Sequence, residues 1–282
     1  MNQISKLFIC LTFCLSAKLV FADTATVNFL INEYSKSANV ELQIEILKTL
    51  GSYKGNPQVQ ATLISVISNP RLSSKLRVQS AFSLSEQTSD RSILSTILRA
   101  HDNSRDLWLR AKLLEAIYPS VLEDQKVRSV LMNNLVQNHD PLIQQASAFS
   151  LGKNIADPSI KLFLIERSES PFLRDNVRVE ILKSFYTQLS DPRIMTTLNN
   201  IALSGQEPVS VRSAATRVLA TAPKTRSSRQ SLFDLLSRSS FESIRKQAAA
   251  GLKFELTEED VNWMRLSVDP RSGLKRDPFT IL

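Results

Sequence analysis

The chain has 282 residues, with 35 Lys and Arg against 27 Asp and Glu, two histidines and two cysteines. So small a stock of His and Cys, and six glycines scattered singly, leaves little material for metal clusters, phosphate loops or nucleophilic triads. The formal surplus of +8 is spread along the sequence; it favours anionic surroundings without selecting a partner.

Residues 1–22 read as an export signal. Lys6 supplies the leading charge, Leu7 to Ala17 form an apolar run broken only by Thr12 and Ser16, and Val20-Phe21-Ala22 ends in a small residue. Cleavage is expected before Asp23, giving an exported protein of the periplasm or outside the cell. The run falls short of the roughly 20 residues that cross a bilayer, and Lys18 interrupts it. No transmembrane segment is therefore expected after cleavage, retention as an anchor being the other reading. Cys10 and Cys14 both lie inside the signal, so the mature chain would have no disulfide, thiolate metal site or thiol nucleophile. Loss of Lys6 and Lys18 lowers the net charge from +8 to +6.

Residues 23–39 predict a capping helix, because Val27, Leu30, Ile31 and Tyr34 match the apolar spacing of the second helices that follow. From residue 40 to 268 the sequence repeats. An aliphatic residue followed by Arg or Gln recurs at Leu42-Gln43, Leu76-Arg77, Leu109-Arg110, Ile143-Gln144, Val177-Arg178, Val211-Arg212 and Ile244-Arg245, with spacings of 33 or 34 residues. So narrow a spread over seven copies marks a solenoid. Each pair opens a first helix whose apolar stripe ends at Leu50, Leu84, Ile117, Leu151, Phe185, Leu219 or Leu252. Five residues after each start the position is apolar except at Thr216. Gly51 and Gly152 are placed to stop first helices in the left-handed conformation. Asn56-Pro57, Asp157-Pro158 and Asp191-Pro192 announce second helices, each a capping side chain ahead of a proline suited to the first turn. Thr257 and Asp260 suggest a further capping box, with Leu256 and Val261 as its staple. Residues 269–282 break the pattern with Pro270, Gly273 and Pro278 and read as a tail carrying Phe279, Ile281 and Leu282. The fold class is therefore all-α: an α-α superhelix of about seven helix pairs.

These rows resemble HEAT repeats of the short type. Val211-Arg212-Ser213-Ala214-Ala215 leading to Leu219-Ala220, and Ile143-Gln144 leading through Ala148 to Leu151-Gly152 and Asp157-Pro158, match that family's Val-Arg pair, small first-helix residues, Leu-Gly and mid-unit Asp-Pro. Tetratricopeptide repeats share the period, but their aromatic and Gly-Tyr positions are missing. The resemblance implies a scaffold that presents the concave face of a solenoid.

The residues open to function are those the repeat does not explain. Second helices are expected to line the concave face, which puts Thr62, Ser65, Thr96, Arg99, Met132, Thr197 and Asn200 there as a mixed polar surface for a protein or peptide; packing of neighbouring helices is the other use for the small hydroxyl residues. The register arginines Arg77, Arg110, Arg178, Arg212 and Arg245 form either an intramolecular ladder to neighbouring carbonyl or acidic groups or a row that reads an acidic partner. Lys224, Arg226 and Arg229, near Arg217 and Arg238, make a candidate basic patch. His101 and His139 are read as surface loop residues. The iron-holding His-Glu pairs of HEAT-like hydroxylases are absent from the sequence, and no catalytic, cofactor-binding or metal site is assigned. The expected function is a non-enzymatic interaction scaffold of the bacterial envelope. Binding of an anionic polymer or surface, such as lipopolysaccharide, a cell-wall polymer or nucleic acid, is the alternative, and a modifying activity like that of phycobilin lyases is the third reading.

Overall fold

A computed structural model of the chain describes residues 24–222 and 225–253. The signal at 1–22, Lys224, the capping pair Thr257 and Asp260, and the tail at 269–282 lie outside the described residues. The described residues are helical, joined by turns and one-turn 3-10 segments, with no strand among them. They divide into two compact units between Asn154 and Ile155.

The first unit contains α1 (24–36), α2 (Val40–Leu50), α3 (Pro57–Ser68), α4 (Ser74–Leu84), α5 (Arg91–Asp102), α6 (Leu107–Ala116), α7 (Gln125–Gln137) and α8 (Pro141–Gly152). First helices stack along one another, α2 on α4, α4 on α6 and α6 on α8, while each second helix packs against the first helix that follows it. The second unit repeats the scheme with α9 (Pro158–Ser168), α10 (Asp175–Ser184), α11 (Pro192–Leu203), α12 (Val209–Ala220), α13 (Arg226–Arg238) and α14 (Glu242–Leu252), where α10 packs on α12 and α12 on α14.

The stripe read from the sequence is the core. Leu50, Leu84, Ile117, Leu151, Phe185 and Leu219 are all fully buried, each such side chain contributing about 1.5–3 kcal/mol on leaving water. Thr216, the polar exception, is also fully buried, and its Oγ1 donates to the Arg212 carbonyl at 2.9 Å, so the hydroxyl is buried without an unmet hydrogen bond. Leu42 is half exposed, unlike the later starts, because only the single helix α1 precedes α2.

Caps fix the helix starts. Asn56 Oδ1 accepts from the Gln58 and Val59 amides, Asp157 Oδ1 from Ser159 and Ile160, and Asp191 Oδ1 from Arg193. The same device, without proline, opens α5 at Asp90 and α7 at Asp124. Gly51 corrects the left-handed reading: its φ of −58° is right-handed. It is glycine because α4 comes too close, since a Cβ there would lie 2.8 Å from the Ser83 Cβ. Gly251 meets Ala220 in the same way, at 2.8 Å. Gly152 is the last residue of α8, and the glycine of positive φ among the described residues is Gly55, at 76°.

Serines at these close crossings bond across repeats. Ser83 Oγ donates to the Leu47 carbonyl at 3.0 Å and Ser150 Oγ to the Leu114 carbonyl at 2.8 Å, the same register position two repeats apart.

Candidate functional site

The row expected on the second helices is polar and partly consumed by its own helices. Thr62 and Thr96 are half-buried, and each Oγ1 donates 2.8 Å to the carbonyl four residues back. Ser65, Arg99 and Asn200 are exposed and Met132 is half-buried. Thr197 departs from the expectation: it is 4% exposed, and its Oγ1 donates to Glu169 Oε1 at 2.9 Å. A hydroxyl spent on a neighbouring repeat is not available to a partner.

Three of the register arginines point inward. Nε of Arg77 donates to the Ile67 carbonyl at 2.9 Å, that of Arg178 to Ser168 at 2.8 Å, and that of Arg212 to Ala202 at 3.1 Å, each acceptor ten residues back. Gln43 reaches the Tyr34 and Ser37 carbonyls, and Gln144 the Leu135 carbonyl, through the side-chain amide. These bonds satisfy carbonyls at helix C-termini, which have no partner inside the helix. Arg178 adds a bidentate pair with Glu207, at 2.6 and 2.8 Å. The Arg212 guanidinium also stands 5.3 Å from the Phe241 ring centroid. Burial lowers the pKa of Arg77, and the Asp106 carboxylate opposes that shift. Arg110 and Arg245 are half-buried, and Arg110 Nε has no hydrogen-bond partner among the described residues.

In the basic turn, Arg226 opens α13 and is exposed, while Arg229, one turn on, is half-buried. Arg217 is exposed, and Arg238 pairs with Asp234 at 3.6 Å. Of the histidines, His139 is an exposed loop residue, but His101 is not. It lies in the last turn of α5, 5% exposed, with Nδ1 at 2.8 Å from Asp102 Oδ1. Burial pulls its pKa down, and the Asp102 hydrogen bond works the other way. Its apolar position on α5 outweighed the polarity of the imidazole.

Sequence reasoning passed over an exposed apolar row on the first helices. Trp108, one residue before the Leu109 start, is 41% exposed, and Leu142, one residue before the Ile143 start, is 43% exposed. Leu107 beside Trp108 is exposed as well. That this register position brings consecutive repeats together is shown by Lys75 and Glu41, which hold it in the two preceding repeats and pair at 3.6 Å. The helix period assigns Trp108 to the outer side, so the signal was there: a tryptophan outside the core stripe is worth noticing. In the second unit, a cleft of 430 Å³ between α9 and α11 is lined by Leu162, Ile165 and Arg193 beside the Lys161–Asp191 pair. Lys161 Nζ reaches Asp191 Oδ2 at 2.6 Å and holds that carboxyl below its ordinary pKa. Phe172, in the turn between α9 and α10, is 95% exposed.

Among the described residues no cluster of three or more His, Cys, Asp or Glu could hold a metal ion, and no helix is long and apolar enough to cross a membrane.

No protein-family model and no curated protein matches this sequence. Solved structures do. Kap95p, in a structure concerned with its binding to RanGDP, is 15% identical with a TM-score of 0.57, over 91% of this chain and 36% of Kap95p. The CpcE–CpcF complex of phycocyanin lyase from Nostoc sp. PCC7120 is 17% identical with a TM-score of 0.44, over 85% of this chain and 92% of that one. Human deoxyhypusine hydroxylase is 14% identical with a TM-score of 0.37, over 80% and 83%. This chain thus spans about a third of the Kap95p length, and the likeness establishes the fold: an all-α, HEAT-like helical solenoid.

Proposed function

We propose that the chain is a non-enzymatic interaction scaffold, exported to the bacterial envelope by residues 1–22, that binds a protein or peptide. The observation that carries the reading is the exposed pair Trp108 and Leu142, set on consecutive first helices of the first unit. Tryptophan is the residue type most enriched among side chains that dominate protein–protein affinity, and an exposed apolar row on a rigid stack of helices offers it to a partner without an ordering cost. The polar second-helix residues Ser65, Arg99 and Asn200 supply hydrogen bonds for specificity rather than the main affinity. Solenoids of this architecture are built to offer such extended surfaces, and Kap95p, whose fold this chain shares, binds RanGDP. The buried register arginines serve the stack itself, which leaves an acidic partner no row of arginines to read.

Capture from envelope extract, with the full chain as bait at low and high salt, tests this. The wild type should retain a protein partner at both salts. Trp108→Ala together with Leu142→Ala, both on the surface, should weaken that capture by about 30-fold, the equivalent of a hot-spot loss near 2 kcal/mol. No partner at any salt would overturn the scaffold reading. Capture that disappears with salt equally in both proteins would transfer the function to anionic polymers.

A further inference from the structure

Five repeat junctions obey one rule, in which the Arg or Gln after the repeat start ties down a carbonyl of the preceding helix. The junction between α5 and α6 does not. By register, Arg110 should donate from Nε to the Ala100 carbonyl, as Arg77, Arg178 and Arg212 do to residues ten back. Its Nε is instead buried without a hydrogen-bond partner among the described residues. What distinguishes this junction is the residue nine before the arginine. The arginine junctions that obey the rule have Ser68, Glu169 or Leu203 there, all exposed, whereas this one has His101, which is buried.

The ring of His101 is itself incompletely bonded. A carboxylate only accepts hydrogen bonds, so the contact with Asp102 Oδ1 places the ring proton on Nδ1. Nε2 is then a bare acceptor, buried and partnerless among the described residues. The charged groups acting on the ring are Asp102, on its own helix and 75% exposed, and Arg110 from α6. The helix α3, packed beside α5, carries no titratable side chain, and Lys112 of α6 is occupied by Glu115 at 2.7–2.8 Å. Two buried polar atoms without partners, each unfavourable to the fold, occur at this one junction, and Arg110 acts electrostatically on the His101 ring.

We propose that the α5–α6 junction is an acid-sensitive latch with two arrangements: His101 inserted with Arg110 denied its carbonyl, and His101 released with Arg110 Nε bonded to the Ala100 carbonyl. A proton chooses between them. Inside, Nε2 is the site left to protonate, and protonation would create a buried N–H without an acceptor beside the fixed charge of Arg110. Released into water, the ring takes the proton without that cost. Proton binding therefore favours the released state, and the loss of His101 burial is offset by the ladder bond that every other arginine junction with a described bond already has. The latch needs no ligand and leaves the other junctions untouched. It lies on the helix that begins with Leu107 and Trp108, so release would alter the entry to that surface.

Hydrogen exchange of the full chain, corrected for intrinsic rates, at pH 7.5 and pH 5.0 tests the latch. Residues 97–112 should lose protection several-fold at the lower pH, while α3 and α12 keep theirs. His101→Gln should abolish the step. Arg110→Ala should shrink it, because the released state then gains no ladder bond and the inserted ring has no cation beside it. An unchanged segment, a loss shared by the whole first unit, or an equal step in His101→Gln would each overturn the proposal. Should His101→Gln not fold, NMR of the wild type still decides. The Arg110 Nε–H signal must become slow to exchange over the same pH range in which the His101 ring takes up its proton, and independent transitions would sink the idea.

Discussion

Arg178 and Arg110 hold the same position in two repeats, one in each unit, yet one is among the best-bonded side chains described and the other among the poorest. Arg178 gives Nε to the Ser168 carbonyl and its two terminal nitrogens to Glu207. Arg110 leaves Nε unpartnered among the described residues, at the junction where a buried histidine stands at the neighbouring helix end. The register decides which residue arrives at a junction. Its neighbours decide whether the residue stabilises that junction or only occupies it.

Truncating the two arginines measures that difference. Arg178→Ala should cost about 3–5 kcal/mol in denaturant unfolding, since it strips the partner from Glu207 in a largely buried pair. Arg110→Ala should cost well under half of that, because no hydrogen bond from Nε is lost; equal losses would erase the contrast. Next in size is Gly51→Ala. The new Cβ would stand 2.8 Å from Ser83, and the resulting shift of α4 away from α2 should cost about 1–3 kcal/mol, whereas Gly55→Ala faces no neighbour within 4 Å and only the strain of its positive φ. The smallest effect concerns acid. Ser74 Oγ donates to Asp106 Oδ2 at 2.5 Å and holds that carboxyl below its ordinary pKa, with the Leu109 and Trp108 amides adding to the shift. A depressed carboxyl contributes stability above its unfolded pKa of about 3.9 that disappears as pH falls through the folded value. Ser74→Ala should raise the Asp106 pKa, read by NMR, and flatten that acid limb, while the response of His101 at higher pH stays in place.

Much of this architecture was legible in the sequence because a repeat averages out local ambiguity. The stripe from Leu50 to Leu219 and the capping of α3, α9 and α11 were visible as recurrences, and each is realised. What escaped was set by contacts between repeats, which periodicity does not encode. Gly51 was read as a left-handed helix stop, but it ends α2 in the right-handed conformation and its reason is Ser83 on α4. Thr197 was assigned to an open face, but Glu169 claims its hydroxyl. His101 was taken for a loop residue because it falls 25 residues after the Leu76 start, beyond the expected second helix, although it sits one turn after the buried Ile97 and next to the buried Ala100 of α5. The site suffered most, since a binding surface is made of departures from the repeat, and Trp108 was such a departure hidden beside a register start.

The hydrogen bonds that join one repeat to the next also bear on how the chain reaches this structure. Ser83 to Leu47, Ser120 to Thr88 and Ser150 to Leu114 each close a loop of 32–36 residues, and the helices that stack on one another are separated by the same interval. Contacts of so uniform and modest a sequence separation are quick to form and need no distant segment to be in place first. Folding can therefore begin at whichever pair of repeats is locally best satisfied and spread outward by accretion. On those kinetics the Arg178–Glu207 junction is a natural seed, and the junction at Arg110 is where growth would pause.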